Sequence, residues 1–340
     1  MRHATPPPYV LAACASAPQC VFANGTVDRD AIDHNIAQTI AQTERAVGDH
    51  GARLVVFPQF GLTGYAMVSP EAWHDAAFAL PGREIEKIAE AARRTGAWIA
   101  VQVPERHDAF PGRHFLSCVI VGPDDGIALV HRKGYSLSLR TSPIDVHDRF
   151  VEVFGGQAFH PVIDTPLGRL GATIGAELHW PEVCRSLALN GTQVVLNPIA
   201  AAPHLDYLQR QGALHVRSVR AFENMVYLAT ANIAGPDDTP PSIIFDYKGA
   251  SIAESVESAP GITLATIDIA AMEAWRGAPS ANFLAQIQPA TTVHPDPHLH
   301  WPSNAWPQRA PSTFDDLAAT EADTWSRLNA HWAQADPTSQ

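Results

Sequence analysis

The sequence predicts a layered α/β domain, and three observations carry that prediction. Short Val- and Ile-rich apolar runs alternate with longer amphipathic stretches. Gly and Asp-Gly punctuation separates them. Hydrophobic residues make up 46% of the 340 residues and charged residues 17%, the balance of a chain that can bury a sizeable core. In chain order, Tyr9 to Ala17 reads as a first core strand. Ile32, Ile36, Ile40 and Val47 recur at helical spacing and mark one face of a helix over about 29–47. Leu54 to Phe57 is too short for a helix and reads as a buried strand. Ile85, Ile88, Ala89 and Ala92 mark a second amphipathic helix, ended by Gly96. Trp98 to Val103, Ser117 to Val121 and Ile127 to His131 read as strands, the last two joined through Asp124-Asp-Gly126. Pro181 suits the first turn of a helix that Gly191 closes. Glu182 and Arg185, three apart on that helix, read as a structural pair. Buried strands interleaved with helices make a layered α/β domain.

Composition excludes several function classes. A formal net charge of −12 argues against nucleic-acid and anionic-membrane partners, which need a basic surface. No apolar run reaches the length of a membrane-spanning helix. The four cysteines, Cys14, Cys20, Cys118 and Cys184, lack metal-ligand spacing and read as reduced, mostly buried thiols of a cytoplasmic protein. Leu11-Ala-Ala-Cys14 has the look of a lipoprotein cleavage box, but one Arg and the Pro6-Pro-Pro8 interruption leave no apolar approach to it, so the core-strand reading stands. His294, His298 and His300 lie in a Pro-rich stretch without a nearby acid and read as solvated side chains, not a metal site. No cofactor is called for.

Three segments then carry a resemblance. The first is Leu54-Val-Val-Phe-Pro-Gln59-Phe-Gly-Leu-Thr-Gly-Tyr65, the second Ile127-Ala-Leu-Val-His-Arg-Lys133, the third Gly171-Ala-Thr-Ile-Gly175-Ala-Glu177-Leu-His-Trp180-Pro-Glu182-Val-Cys-Arg185. Asn197-Pro198, the stretch from Arg220 to Asn232, Ser242 to Asp246 with Gly249, and Ile262 to Asp268 follow in order. Together these resemble the nitrilase, or carbon–nitrogen hydrolase, superfamily. The resemblance covers about residues 8–285, the expected hydrolase-like domain. It sharpens the fold to a four-layer α-β-β-α sandwich. Residues 286–340 change character: Pro-rich, then a polar helix expected from Phe314 to about Ala333 with Leu317, Trp325, Leu328 and Trp332 on it. Family members often clasp a partner subunit with such an arm, and its Trp301, Trp306, Trp325 and Trp332 point the same way, so a homodimer or higher homo-oligomer is expected.

The resemblance also locates a site. The family mechanism uses a Cys nucleophile, a Glu general base and a Lys that stabilises the oxyanion. At the corresponding positions this chain has Gly175, Gln59 and Lys133. Glycine offers no sulfur, and an amide has no basic lone pair at neutral pH. Only Lys133 is kept. Gln59, Lys133 and Gly175 are expected to converge at the C-terminal ends of adjacent central strands. Glu177 orients backbone around the nucleophile position in the family, and here it is also a candidate partner for Lys133. Arg140 lies near the place of a further family Glu. Tyr65, His179, Trp180 and residues 200–204 are expected on the pocket wall. Cys184, Ser136, Ser138 and Thr173 are nucleophile types near the motifs, with no spacing that supports them.

Three functions follow from these residues. One is a pseudoenzyme that binds a small amide-, nitrile- or carboxylate-bearing ligand or acts as a partner subunit. Another is non-thiol chemistry of hydratase, lyase or condensing type on Lys133 and Glu177. The third, least supported by the motifs, is an orthodox amidase or nitrilase with an unrecognised nucleophile.

Overall fold

A computed structural model of the chain describes residues 4–23, 26–135, 141–201, 210–235, 239–255, 259–277 and 283–286, with positions 315–316, 319 and 322–323. The first half runs β1 (Tyr9–Ala15), the short hairpin β2 (Phe22–Ala23) and β3 (Thr26–Val27), α1 (Arg29–His50) and β4 (Ala52–Val56). It continues with α2 (Pro70–Ala76), β5 (Phe78–Ala79), α3 (Arg83–Thr95), β6 (Trp98–Arg106), β7 (Phe115–Gly122) and β8 (Gly126–Arg132). The second half runs α4 (His147–Phe154), β9 (Val162–Thr165), β10 (Gly168–Ala172), α5 (Pro181–Leu189), β11 (Val194–Pro198) and α6 (Arg210–Asn224). It ends with β12 (Tyr227–Ala231), β13 (Ile243–Phe245), β14 (Ser251–Glu254), β15 (Gly261–Ile267) and α7 (Ile269–Gly277).

Two sheets result. One has the order β15-β1-β4-β6-β7-β8, with β5 added on β6; the other has the order β14-β13-β12-β11-β10-β9. Alternation along the strands explains why they stack. Leu11, Ala13, Leu54, Val56, Trp98 and Ala100 of the first sheet meet Leu170, Ala172, Val194, Leu196, Ala229 and Ala231 of the second in one core. The intervening Ala12, Cys14, Val55, Ile99 and Val101 face outward against Ile32 and Ile36 of α1 and Ile85 and Ile88 of α3. On the far side, Val195 and Leu228 face Cys184 and Leu187 of α5 and Ala221 of α6. Strands buried on both faces read as continuous apolar runs. The layers are helix, sheet, sheet, helix: the expected four-layer sandwich.

Helix ends follow local chemistry. Asp28 caps α1 by accepting from the N–H groups of Asp30 and Ala31, and Gly51 ends it at φ 66°. α1 therefore runs to His50, past the expected end near Val47, and β1 stops at Ala15, short of Ala17. Pro181 is in the first turn of α5, as its chemistry demands. Gly126 turns the β7–β8 hairpin at φ 66°. No ion pair joins Glu182 to Arg185 among the described residues, contrary to the helical-spacing expectation; the Nη1 of Arg185 is buried without a hydrogen-bond partner. Cys14 is fully buried in β1, a structural place for the Leu11–Cys14 segment. No helix among the described residues is long and apolar enough to cross a membrane, and no cluster of metal-ligating side chains occurs among them. The His294, His298 and His300 stretch and the aromatic positions of the C-terminal arm lie outside the described residues.

Candidate functional site

β4 and β8 run in the same direction, because β6 is parallel to β4 and β7 and β8 each reverse once. Their C-terminal ends therefore open on one edge of the first sheet. Gln59 follows β4 by three residues and is anchored through its N–H to the Ile199 carbonyl, 3.1 Å away, at the end of β11 in the facing sheet. Lys133 directly follows β8, and its backbone N–H donates to Leu116 in β7 at 2.8 Å. Gly175 follows β10 of the second sheet and opens a single 3-10 turn, Gly175–His179.

The three positions meet. A Cβ built on Gly175 would stand 2.5 Å from Gln59 Oε1 and 3.3 Å from Lys133 Nζ. The convergence matches the sequence expectation, but the strands are not adjacent. β4 and β8 are separated by β6 and β7, and Gly175 comes from the opposite sheet. The site is built across the sandwich, where two layers lean together at one edge. Gly175 holds φ 56°, a left-handed conformation that disfavours any side chain there.

Glu177 ties the two layers. Its Oε2 accepts from His131 Nε2 at 2.8 Å and from the Ile174 N–H at 2.7 Å, and its Oε1 accepts from the Gly134 N–H at 2.7 Å. One buried carboxylate thus holds the residue after Lys133 and the residue before Gly175. Burial opposes its ionisation, but His131, the Lys133 charge and the Ile174 N–H outweigh that and hold it below the usual 4.5. Lys133 is only 6% exposed. Burial draws its ammonium down to about 8, against the pull of the Glu177 charge. Among the described residues, Glu177 does not form an ion pair with Lys133; its side-chain contact is the His131 ring. Behind the site, Arg132 pairs with Glu105 at 2.6 Å and lies over the Phe154 ring.

The remaining candidates are less closely gathered. Trp180 stacks on Tyr135, ring centroids 4.8 Å apart, beside the Glu177–Gly134 bond. The His179 carbonyl is held by Arg220 at 3.2 Å, and burial together with Arg217 and Arg220 pushes the His179 imidazole down. Tyr65 is 48% exposed and its ring leans on Phe60, which packs on Trp73. Ala200 packs on that same aromatic cluster. Arg140, Ser136, Ser138 and residues 202–204 lie outside the described residues. Thr173 is fully buried and bonded to Asn197. Cys184 belongs to the outer core between α5, α6 and the second sheet; burial pushes its thiol up to about 12. Sequence reading missed His131 and Tyr135. The signal for His131 was a polar residue two before Lys133 in an otherwise apolar strand.

Comparison with known proteins adds a family and a fold. The carbon-nitrogen hydrolase family model matches residues 11–277. Omega-amidase NIT2 of Mus musculus is 27% identical over 199 residues, 57% of this chain and 67% of that one. A nitrilase of Pyrococcus abyssi is 28% identical over 188 residues, 55% of this chain and 64% of that one. The matched stretches thus span about two thirds of those relatives. Among solved structures, Saccharomyces cerevisiae Nit3, a member of branch 10 of the nitrilase superfamily, superposes with a TM-score of 0.65 at 19% identity, covering 80% of this chain and 94% of that one. An amidase from Nesterenkonia sp. gives 0.60 at 18% identity, covering 84% and 95%. At those identities the likeness is one of fold.

Proposed function

This chain belongs to the carbon–nitrogen hydrolase family, and from that premise we propose that it binds a small amide-, nitrile- or carboxylate-bearing ligand without forming a thioester. In this reading Gln59 and Gly175 stand in the places of the family's Glu base and Cys nucleophile, and Lys133 in its own. One observation carries it: the point where a side chain of residue 175 would begin is met by Gln59 Oε1 at 2.5 Å and Lys133 Nζ at 3.3 Å, and glycine puts no sulfur there. Cys184 does not substitute, since it is sealed in the outer core on α5 and its thiol is held protonated by burial. Losing the nucleophile of a covalent mechanism removes on the order of 10⁴ to 10⁶ in rate.

Non-thiol chemistry on the Lys133 amine is the second reading. It is favoured by the fall of the ammonium to about 8, which leaves a neutral fraction near neutral pH. Glu177 is poorly placed as its base, because both carboxylate oxygens are already accepting hydrogen bonds. Assembly as a homodimer or higher oligomer is part of the proposal. Leu189 on α5 and Val219 and Phe222 on α6 are exposed apolar residues of one outer layer.

The test is ammonia release from a panel of aliphatic amides, ω-amides and nitriles, with intact-mass analysis for an acyl adduct. Wild type is expected to show neither turnover nor adduct, and the double variant Gly175→Cys with Gln59→Glu a trace of both. Hydrolysis by the wild type that alkylation of Cys184 abolishes overturns the reading.

A further inference from the structure

We propose that the occupant of this site is a small carboxylate anion, received by the Lys133 ammonium and the Gln59 side-chain amide beside Gly175. This deepens the ligand-binding reading and rests on it. Among the described residues, the Lys133 ammonium has neither a hydrogen-bond partner nor an ion pair, although its side chain is more than nine-tenths buried. Buried ammonium groups left in that condition are costly, and native proteins pair them. The neighbouring charges are spent elsewhere. Glu177 accepts from His131, Ile174 and Gly134. Arg132 and Glu105 form their own buried pair. Among the described residues none supplies Lys133 with a free negative charge, and an anionic ligand would.

Position 59 decides which acceptor. A carboxylate there would repel an anionic ligand and attract the ammonium to itself. Gln59 is neutral, and its amide carries two N–H donors as well as an oxygen. The Gln59 side chain also has no hydrogen-bond partner among the described residues, and its Oε1 is the atom that lies against the same point as the Lys133 amine; a half-turn of the amide, which no partner opposes, puts an N–H there instead. An ammonium and, with the amide turned, an N–H directed at one point suit the two oxygens of a carboxylate, and a charge-assisted hydrogen bond is roughly twice as strong as a neutral one. A neutral amide ligand can give its oxygen to the ammonium and an N–H to Gln59 Oε1, but it brings no charge to balance the ammonium.

The test compares isosteres on the full chain by isothermal titration: acetate, propionate, butyrate, succinate and benzoate, each against its amide. At least one carboxylate is expected to bind at least tenfold more tightly than its amide. Lys133→Met and Gln59→Glu are each expected to weaken that carboxylate at least tenfold, with the fold of both verified by circular dichroism. Gln59→Glu is the decisive variant, because it keeps size and reach while exchanging the amide's two N–H donors for a negative charge. Amides binding as tightly as carboxylates, or Gln59→Glu leaving carboxylate affinity unchanged, overturns the anion proposal and leaves the ligand-binding reading standing. Failure of every carboxylate and every amide to bind overturns both. Propionaldehyde fixed to Lys133 by cyanoborohydride, with no carboxylate binding, also overturns the proposal and assigns the amine to covalent carbonyl chemistry.

Discussion

Replacing Lys133 by Met is expected to stabilise the ligand-free protein, and the size of the gain follows from the site. Met keeps an unbranched, flexible chain of similar reach and removes the charge. In the folded protein the Lys133 ammonium titrates at about 8, and in the unfolded chain at its ordinary 10.5, because burial penalises the charged form more than Glu177 supports it. Between those values the unfolded state binds more protons, so wild-type stability rises with pH through that window. Below about 8 the penalty is fully present, and above about 10.5 it is gone. At about 1.4 kcal/mol per pH unit, the gap corresponds to about 3 kcal/mol. Urea unfolding of both proteins at about pH 7, 9 and 10.5 reads the difference directly, because groups common to both cancel. Lys133→Met is expected to be more stable by about 3 kcal/mol at about pH 7, less so at 9, and equal to wild type at 10.5. A variant less stable than wild type at neutral pH, or a difference that ignores pH, refutes the picture of an uncompensated buried ammonium.

Two further outcomes follow from the same structure. Glu177→Gln is expected to lose about 3 kcal/mol at neutral pH, since it removes the carboxylate that joins the two sheets and the partial support its charge gives the Lys133 ammonium. The Glu177 carboxyl titrates below its usual 4.5, so its contribution is present above that value and lost as pH falls through the lower folded one; urea unfolding should show the wild-type and variant curves converging in acid. Of the four free thiols, only Cys20 is exposed, so a thiol reagent is expected to titrate one group in the native protein and four after denaturation. Native reactivity at Cys184 contradicts its placement in the outer core.

The strands and the site were legible to different depths. The buried strands announce themselves because two-sided burial requires continuous apolar residues, as in Val55-Val56-Phe57. Gln59, Lys133 and Gly175 were legible as a set through the family resemblance, whose three motifs each end such a run. Their placement across two sheets was not, since layer order and sheet membership depend on long-range pairing that no local pattern encodes. α4 escaped for a similar reason: its Phe150 and Phe154 pack on Phe110 and Phe115 from β7 and the loop before it. The role of Glu177 as a clamp also depends on a backbone N–H, that of Gly134, supplied from 43 positions away. Side-chain identity predicts a backbone donor poorly, because every residue except proline carries one.

The most direct measurement of the central claim is a crystal structure of the wild-type protein grown or soaked with the tightest-binding carboxylate from the titration series. The account predicts density for the intact ligand with its oxygens within about 3 Å of Lys133 Nζ and the Gln59 amide, beside Gly175 and unbonded to any protein atom. An acyl group bonded to the protein, or a ligand seated elsewhere with Lys133 and Gln59 left facing each other, contradicts it.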